Sequence, residues 1–258
     1  VSVIFVQTTS LTSLLPFASI ASTQAVTLTS STSNDPFGAL VNYTCRYPST
    51  NAAHPATRVG STYTCTLNRQ SNHSNELVNL WITSTHLGSL LLTSNSLPFS
   101  WYDSGSISEI TPFALGFTGD PATSAVQNVT LNLSKPILNS RGLQCKTSSS
   151  NEASTLSTAT IVTGSNNLVV MCQISKTQFP GIDTQLVTVN LFVDASAGVQ
   201  FDITSTVDFV FLRVPLAFNS TVLSTNTLSN TDIGIQMPFS YVIPNTAISY
   251  TTVMQVSS

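Results

Sequence analysis

Four cysteines carry the clearest chemistry in this sequence. Cys45, Cys65, Cys145 and Cys172 fall as two sequence-local pairs, and three disulfide connectivities are open to them. The expected one joins Cys45 to Cys65 and Cys145 to Cys172, each bond closing a loop worth about 3 kcal/mol by the chain-entropy estimate. No Cys-x-x-Cys occurs, and His54, His73 and His86 stand apart, so the spacing of a zinc site is missing. Paired cysteines of this kind point to an oxidising, exterior compartment.

Five Asn-x-Ser/Thr sequons, at Asn42, Asn72, Asn128, Asn132 and Asn219, agree with that location. Single sequons are weak evidence in a chain so rich in hydroxyls. The pair at Asn128 and Asn132 is more informative, because Val126 to Leu133 alternates as a strand would. Val129, Leu131 and Leu133 then share one face, and Asn128, Thr130 and Asn132 share the other. Sugars on that second face would solvate a surface that has little charge to do so.

Reaction chemistry is not signalled. There is no Gly-x-Ser-x-Gly elbow, no Asp-x-Asp-x-Asp-Gly calcium loop, and no glycine-rich phosphate or dinucleotide turn. His54 precedes a proline, His73 lies inside a sequon and His86 flanks an apolar stretch, all simpler as structural or loop residues. Asp202 and Asp208 are explained as solvated strand positions. No catalytic, cofactor or metal site is expected, and the protein is not expected to be an enzyme.

The elements that would position the cysteines and sequons are strands. Leu40 to Tyr47 and Val59 to Leu67 read as neighbouring strands, one carrying Cys45 and the other Cys65. Leu77 to Ile82 and Leu87 to Leu92 are the most apolar part of the first half. A helical stripe through Leu77, Leu80, Trp81 and Leu87 competes there, but Thr83-Ser84-Thr85 favours a strand. Phe99, Trp101, Tyr102, Phe113 and Phe117 lie in a region punctuated by Pro and Gly, where packing under loops is favoured over stacking on sugar rings.

Further on, Thr160 to Ile174, Gln185 to Val193, Val199 to Val214 and Tyr241 to Val256 have strand character. The cleanest alternation puts Val199, Phe201, Ile203, Val207, Phe209 and Phe211 inward. Gln200, Asp202, Thr204, Asp208, Val210 and Leu212 then face outward. The expected fold is all-β: a β-sandwich head of jelly-roll or immunoglobulin-like type, continuous or in two sub-domains. Lys135-Pro136 marks the boundary, giving 1–30 as an N-terminal strand and linker, 31–135 as a first β region and 136–258 as a second. No exact internal repeat is found.

Composition sets the remaining limits. Across 258 residues only 7% are charged, against roughly 25% in an average soluble domain. The net charge of −3 and eight scattered Lys and Arg leave no basic field for nucleic acid. A hydrophobic fraction of 41% argues for a packed core rather than disorder. No uninterrupted apolar window is long enough for a membrane helix, and Val1 to Ala25 lacks the initiator Met and basic flank of a signal peptide. A mature chain is therefore expected. So few carboxylates also suit an acidic exterior, because there is little to lose on protonation.

The first six residues, Val1-Ser2-Val3-Ile4-Phe5-Val6, are almost wholly apolar and rich in β-branched side chains, as befits a strand buried on both faces. Together with the Ser/Thr/Asn-rich β body, the scarcity of charge and the sequons, this organisation resembles the subunits of archaeal threads and bundling pili. The resemblance implies an extracellular, N-glycosylated homopolymer. Val1, Val3, Ile4, Phe5 and Val6 would act as a donor strand inserted into the next subunit, for adhesion or biofilm formation. Two other classes share the pattern: a β-sandwich viral coat protein, and a secreted carbohydrate-binding or adhesion module using Phe99 to Tyr102.

Overall fold

The computed structural model describes residues 9–31, 40–85, 90–117, 126–149, 152–179 and 185–213. They form an all-β molecule built from two nine-stranded units. The first holds β1 (Leu11–Leu15), β2 (Ala18–Ser19), β3 (Thr23–Ser30), β4 (Val41–Arg46), β5 (Ala53–Val59), β6 (Thr62–Asn68), β7 (Ser74–Ser84), β8 (Leu90–Thr93) and β9 (Leu97–Trp101). The second holds β10 (Ile107–Thr111), β11 (Ala114–Phe117), β12 (Val126–Leu133), β13 (Leu143–Ser149), β14 (Glu152–Ile161), β15 (Val169–Ser175), β16 (Gln185–Asp194), β17 (Gln200–Asp202) and β18 (Val207–Arg213).

Alternation builds these strands. In β3, Val26 and Leu28 are buried between outward threonines, and in β6 Tyr63, Cys65 and Leu67 are buried between Thr62, Thr64 and Thr66. Hydroxyl-rich strands of this kind bury one face and leave the other to water. The stretch expected to be a linker is, from Leu11 on, the first three strands of a unit. Its threonines are the solvent half of a half-buried strand. Strand pairing also changes units between Trp101 and Ile107, well before the expected boundary at Lys135-Pro136, because Ile107 to Leu133 pair onward to β15.

The two units repeat one topology. The first runs β1-β3-β6-β5-β4-β7-β9-β2 with β8 on β7, and the second β10-β12-β15-β14-β13-β16-β18-β11 with β17 on β16. The match extends to single residues. Leu14 pairs with Leu28 as Ile110 pairs with Leu131. Val26 pairs with Cys65 as Val129 pairs with Cys172. Ala18 pairs with Ser100 as Ala114 pairs with Val210, in parallel in both units.

β5 changes partner along its length, with Ala56 opposite both Tyr43 of β4 and Cys65 of β6. β14 does the same, leaving β13 after Thr158 and joining β15 from Ala159. Each path thereby folds over into a barrel-like sandwich. The disulfides Cys45–Cys65 and Cys145–Cys172 close it, joining β4 to β6 and β13 to β15 with Cα separations of 6.4 and 5.8 Å.

Two residues expected to face outward, Thr204 and Val210, are buried. Thr204 turns in to accept the Leu191 N–H at 2.9 Å, and in the first unit Ser94 accepts the Leu80 N–H at 2.8 Å in the same way. A buried N–H without an acceptor is costly, which explains a hydroxyl at the same place in both units. Val210 is buried because β11 lies alongside it.

Candidate functional site

The structure does not gather the sequence-derived residues into one site. Asn42 on β4, Asn72 in the turn before β7 and Asn128 on β12 are exposed, whereas Asn132 is half-buried and donates to Glu109 Oε2 at 2.8 Å. Val129, Leu131 and Leu133 are buried on the opposite face of β12. Asn219 and the apolar run Val1, Val3, Ile4, Phe5 and Val6 lie outside the described residues, as do His86 and the stretch from Tyr241 to Val256.

Phe99, Trp101 and Tyr102 are buried at 0%, 0% and 1% exposure. Their rings form the core of the first unit, so a sugar cannot stack on them. His54 is buried on β5, with its ring edge toward Tyr47, and burial holds its pKa below the ordinary histidine value. Asp202 is paired with Lys146 at 3.2 Å, while Asp208 is exposed opposite Thr188. Among the described residues no group of three His, Cys, Asp or Glu is placed to hold a metal.

What the fold does assemble is a joint between the units. The connection from Tyr102 to Ser106 crosses it, and Asp103 sits there between Arg69 of the first unit and Lys135 of the second. Partial desolvation raises the Asp103 carboxyl, but the hydrogen bonds and charges of Lys135 and Arg69 outweigh it and hold the group below the usual carboxylate range. His73 bridges the same seam, with Nε2 2.7 Å from Pro136 O and Nδ1 accepting from the Asp103 N–H at 3.4 Å.

Tyr102 extends the seam. Its hydroxyl donates to Asn139 O at 3.1 Å and accepts from Asn139 N at 2.9 Å, and burial pushes the phenol up to about 12. Asn75 adds a donor to Leu138 O at 2.9 Å. Gly105 pairs with Thr204 in a parallel bridge, so the connection is itself stitched to the second unit.

The apolar part of the joint is Phe17. Its N–H donates to Ala195 O at 3.2 Å, and the Arg141 guanidinium lies 4.3 Å from its ring centre. Gly142 holds a positive φ of 66°, and a Cβ there would strike Asp194 O and press on the Phe17 ring. Ion pairs, side-chain hydrogen bonds, paired backbone and the Phe17 ring all span the seam between the two units.

Sequence reasoning missed Asp103, Arg69, Lys135 and Phe17. A signal was present for the first three: with only eight Lys and Arg and eleven Asp and Glu in the chain, every charge is uncommon enough to ask what it pairs with.

No protein-family model and no curated protein matches the sequence. Among solved structures, the plexin A4 extracellular region, domains 1 to 8, is similar at 14% identity and a TM-score of 0.29. That similarity covers 80% of this chain and 24% of the plexin chain. Among the described residues no helix is long and apolar enough to cross a membrane.

Proposed function

We propose that this chain is an extracellular structural or adhesion-type module. Its tandem sandwich units hold a hydroxyl-rich, glycan-bearing surface at a fixed spacing. The observation that carries the reading is the repeated disulfide, one per unit at the same place in the fold, because cytosolic thiols are kept reduced. The outward Asn42, Asn72 and Asn128 supply acceptor positions for sugar.

Secreted from a glycosylating host, the protein is expected to run above its sequence mass of 27.4 kDa and to lose the excess on enzymatic deglycosylation. Alkylation before reduction should leave all four cysteines unlabelled. Free thiols in the secreted protein, or unmodified sequons, would count against the reading.

A second reading, head-to-tail polymerisation of the archaeal-thread kind, is favoured by a sequence observation. Val1-Ser2-Val3-Ile4-Phe5-Val6 matches the pattern of Val207-Asp208-Phe209-Val210-Phe211-Leu212, and Phe5 precedes Leu11 by the same interval as Trp101 precedes Ile107. The run thus has the character of the ninth strand of a unit. In such a polymer it is donated to a neighbouring copy and binds through backbone pairing and alternate apolar side chains. β9 and β18 already fill that position in both described units. Negative-stain imaging of the full chain and of a chain lacking residues 1–9 decides this, since only the first should form filaments.

A further inference from the structure

The outward face of β4 and β7 holds polar atoms that the fold leaves without partners. Thr44 and Arg46 alternate outward with Asn42 on β4, and they lie opposite Trp81 and Asn79 of β7. The Arg46 guanidinium stands 4.0 Å from the Trp81 ring centre, and Asn79 is 5% exposed. Thr44 Oγ1, Arg46 Nε, Asn79 Oδ1 and Trp81 Nε1 are all buried, and none has a hydrogen-bond partner among the described residues. Such atoms are costly to leave unmatched. Among the described residues no carboxylate pairs with Arg46.

The same place in the second unit is arranged differently. Cys145 lies opposite Leu191 as Cys45 lies opposite Leu80, so Gln144, Lys146, Asn190 and Phe192 stand where the first unit has Thr44, Arg46, Asn79 and Trp81. Lys146 is paired with Asp202 at 3.2 Å, Phe192 carries no polar side-chain atom, and Gln144 Oε1 is the one buried polar atom of these side chains left without a partner. A fifth position differs as well. Asn42 is exposed and opens the sequon Asn42-Tyr43-Thr44, whereas its counterpart is Gly142, where a Cβ would strike Asp194 O. The unit with a sugar acceptor on this face is thus the unit that leaves its donors unmatched.

We propose that the outward face of β4 and β7 is a docking site for the N-glycan carried by Asn42. Asn42 and Thr44 share a face about 7 Å apart along the strand, and Trp81 lies directly across from Thr44, so the first sugars of the chain reach the indole. The apolar face of a sugar ring packs on half-buried Trp81. Arg46 is the movable cover of the site, and its long side chain lifts from the indole to let sugar oxygens accept from Arg46 Nε and Trp81 Nε1. A sugar hydroxyl then donates to Asn79 Oδ1. The proposal rests on the glycan-bearing module reading and adds which glycan is held against the protein, and by which residues.

Trp81 and Trp101 are the two tryptophans of the chain, and Trp101 is fully buried, so tryptophan oxidation carries its own control. Hydroxyl-radical footprinting read by mass spectrometry compares the secreted full chain with its Asn42→Gln variant, which keeps the other sequons. Oxidation of Trp81 should rise several-fold in the variant, while Trp101 stays protected in both. A reactive Trp101 in the variant reports a lost fold, and enzymatic removal of the glycan from the folded native chain then supplies the comparison, with the same rise expected at Trp81. Thermal unfolding reads the coupling: loss of the Asn42 glycan should lower Tm in the native sequence and leave it unchanged in a Trp81→Leu background.

Equal oxidation of Trp81 with and without the glycan would overturn the proposal. So would an unmodified Asn42 in a protein whose Asn72 or Asn128 carries sugar. Either result leaves the module reading standing, because the disulfides and the remaining sequons test it separately.

Discussion

The first and second units share a frame and almost none of their core side chains. The first is filled by Tyr47, Tyr63, Phe99, Trp101 and Tyr102, the second by Phe179, Phe209, Phe211 and a run of Val, Leu and Ile. What recurs is a small set of devices: the disulfide, the partner-switching strand that it spans, the hydroxyl that caps a buried N–H, and the parallel pairing of second and ninth strands. Volume and polarity at the other core positions can drift so long as the interior stays filled.

Four substitutions probe how far the equivalence goes. Phe17→Ala is expected to cost about 3 to 5 kcal/mol, as a buried aromatic does, while Phe113→Ala at the same place in the second unit, where the ring is 52% exposed, costs under about 1 kcal/mol. Calorimetry that finds equal costs would remove the asymmetry between the two rings. Replacing either disulfide by a pair of alanines should lower stability by about 3 kcal/mol. The sequence separations of 20 and 27 residues predict nearly the same loss in both units, and denaturant titration that finds a large difference would show that the bonds are not equivalent.

Smaller effects follow. Ser94→Ala and Thr204→Val each strand a buried N–H, at a cost of about 1 to 3 kcal/mol. Hydrogen exchange should show local loosening at Leu80 and at Leu191 respectively. The smallest is a pH effect confined to one unit. His54 lies opposite Cys45, where the second unit has Ser157 opposite Cys145. Its pKa is lowered on folding, so its contribution is complete above the ordinary value of 6.5 and is lost as pH falls below it. The first unit should therefore lose stability below that pH, and His54→Ser should abolish the dependence. A slope that survives the substitution would assign it elsewhere.

Much of this was legible in advance. The all-β fold, the outward face of β12 and the inward Phe209 and Phe211 follow from alternation alone. The stretch from Leu11 to Ser30 was harder, because its hydroxyls have the composition of a linker, and only the spacing of Val26 and Leu28 marks a strand.

The repeat is faint in the sequence because its identities are few and its loops differ in length. Pro-Phe-Ala, Val-Thr-Leu and Val-Asn-Leu occur in both units, at Pro16, Val26 and Val78 and again at Pro112, Val129 and Val189. The intervals between them are unequal. Pairing register aligns what spacing does not. The joint was illegible for another reason: ion pairs among Arg69, Asp103 and Lys135 depend on how two folded bodies meet, and no local pattern encodes that.

The parallel pairing of second and ninth strands bears on how the molecule carries tension. The chain enters a unit through β1 or β10, runs on into β2 or β11 and leaves along β9 or β18, so once the first strand is loaded a pull on the two ends slides the parallel pair past each other. Their hydrogen bonds then resist in shear, sharing load rather than opening in turn. The first unit has two register pairs in this clamp and the second has four. In single-molecule pulling the first unit should yield at the lower force, and the reverse order would refute the shear geometry. Under strain the two units would then act as a fuse and a reserve, the first lengthening while the second still holds.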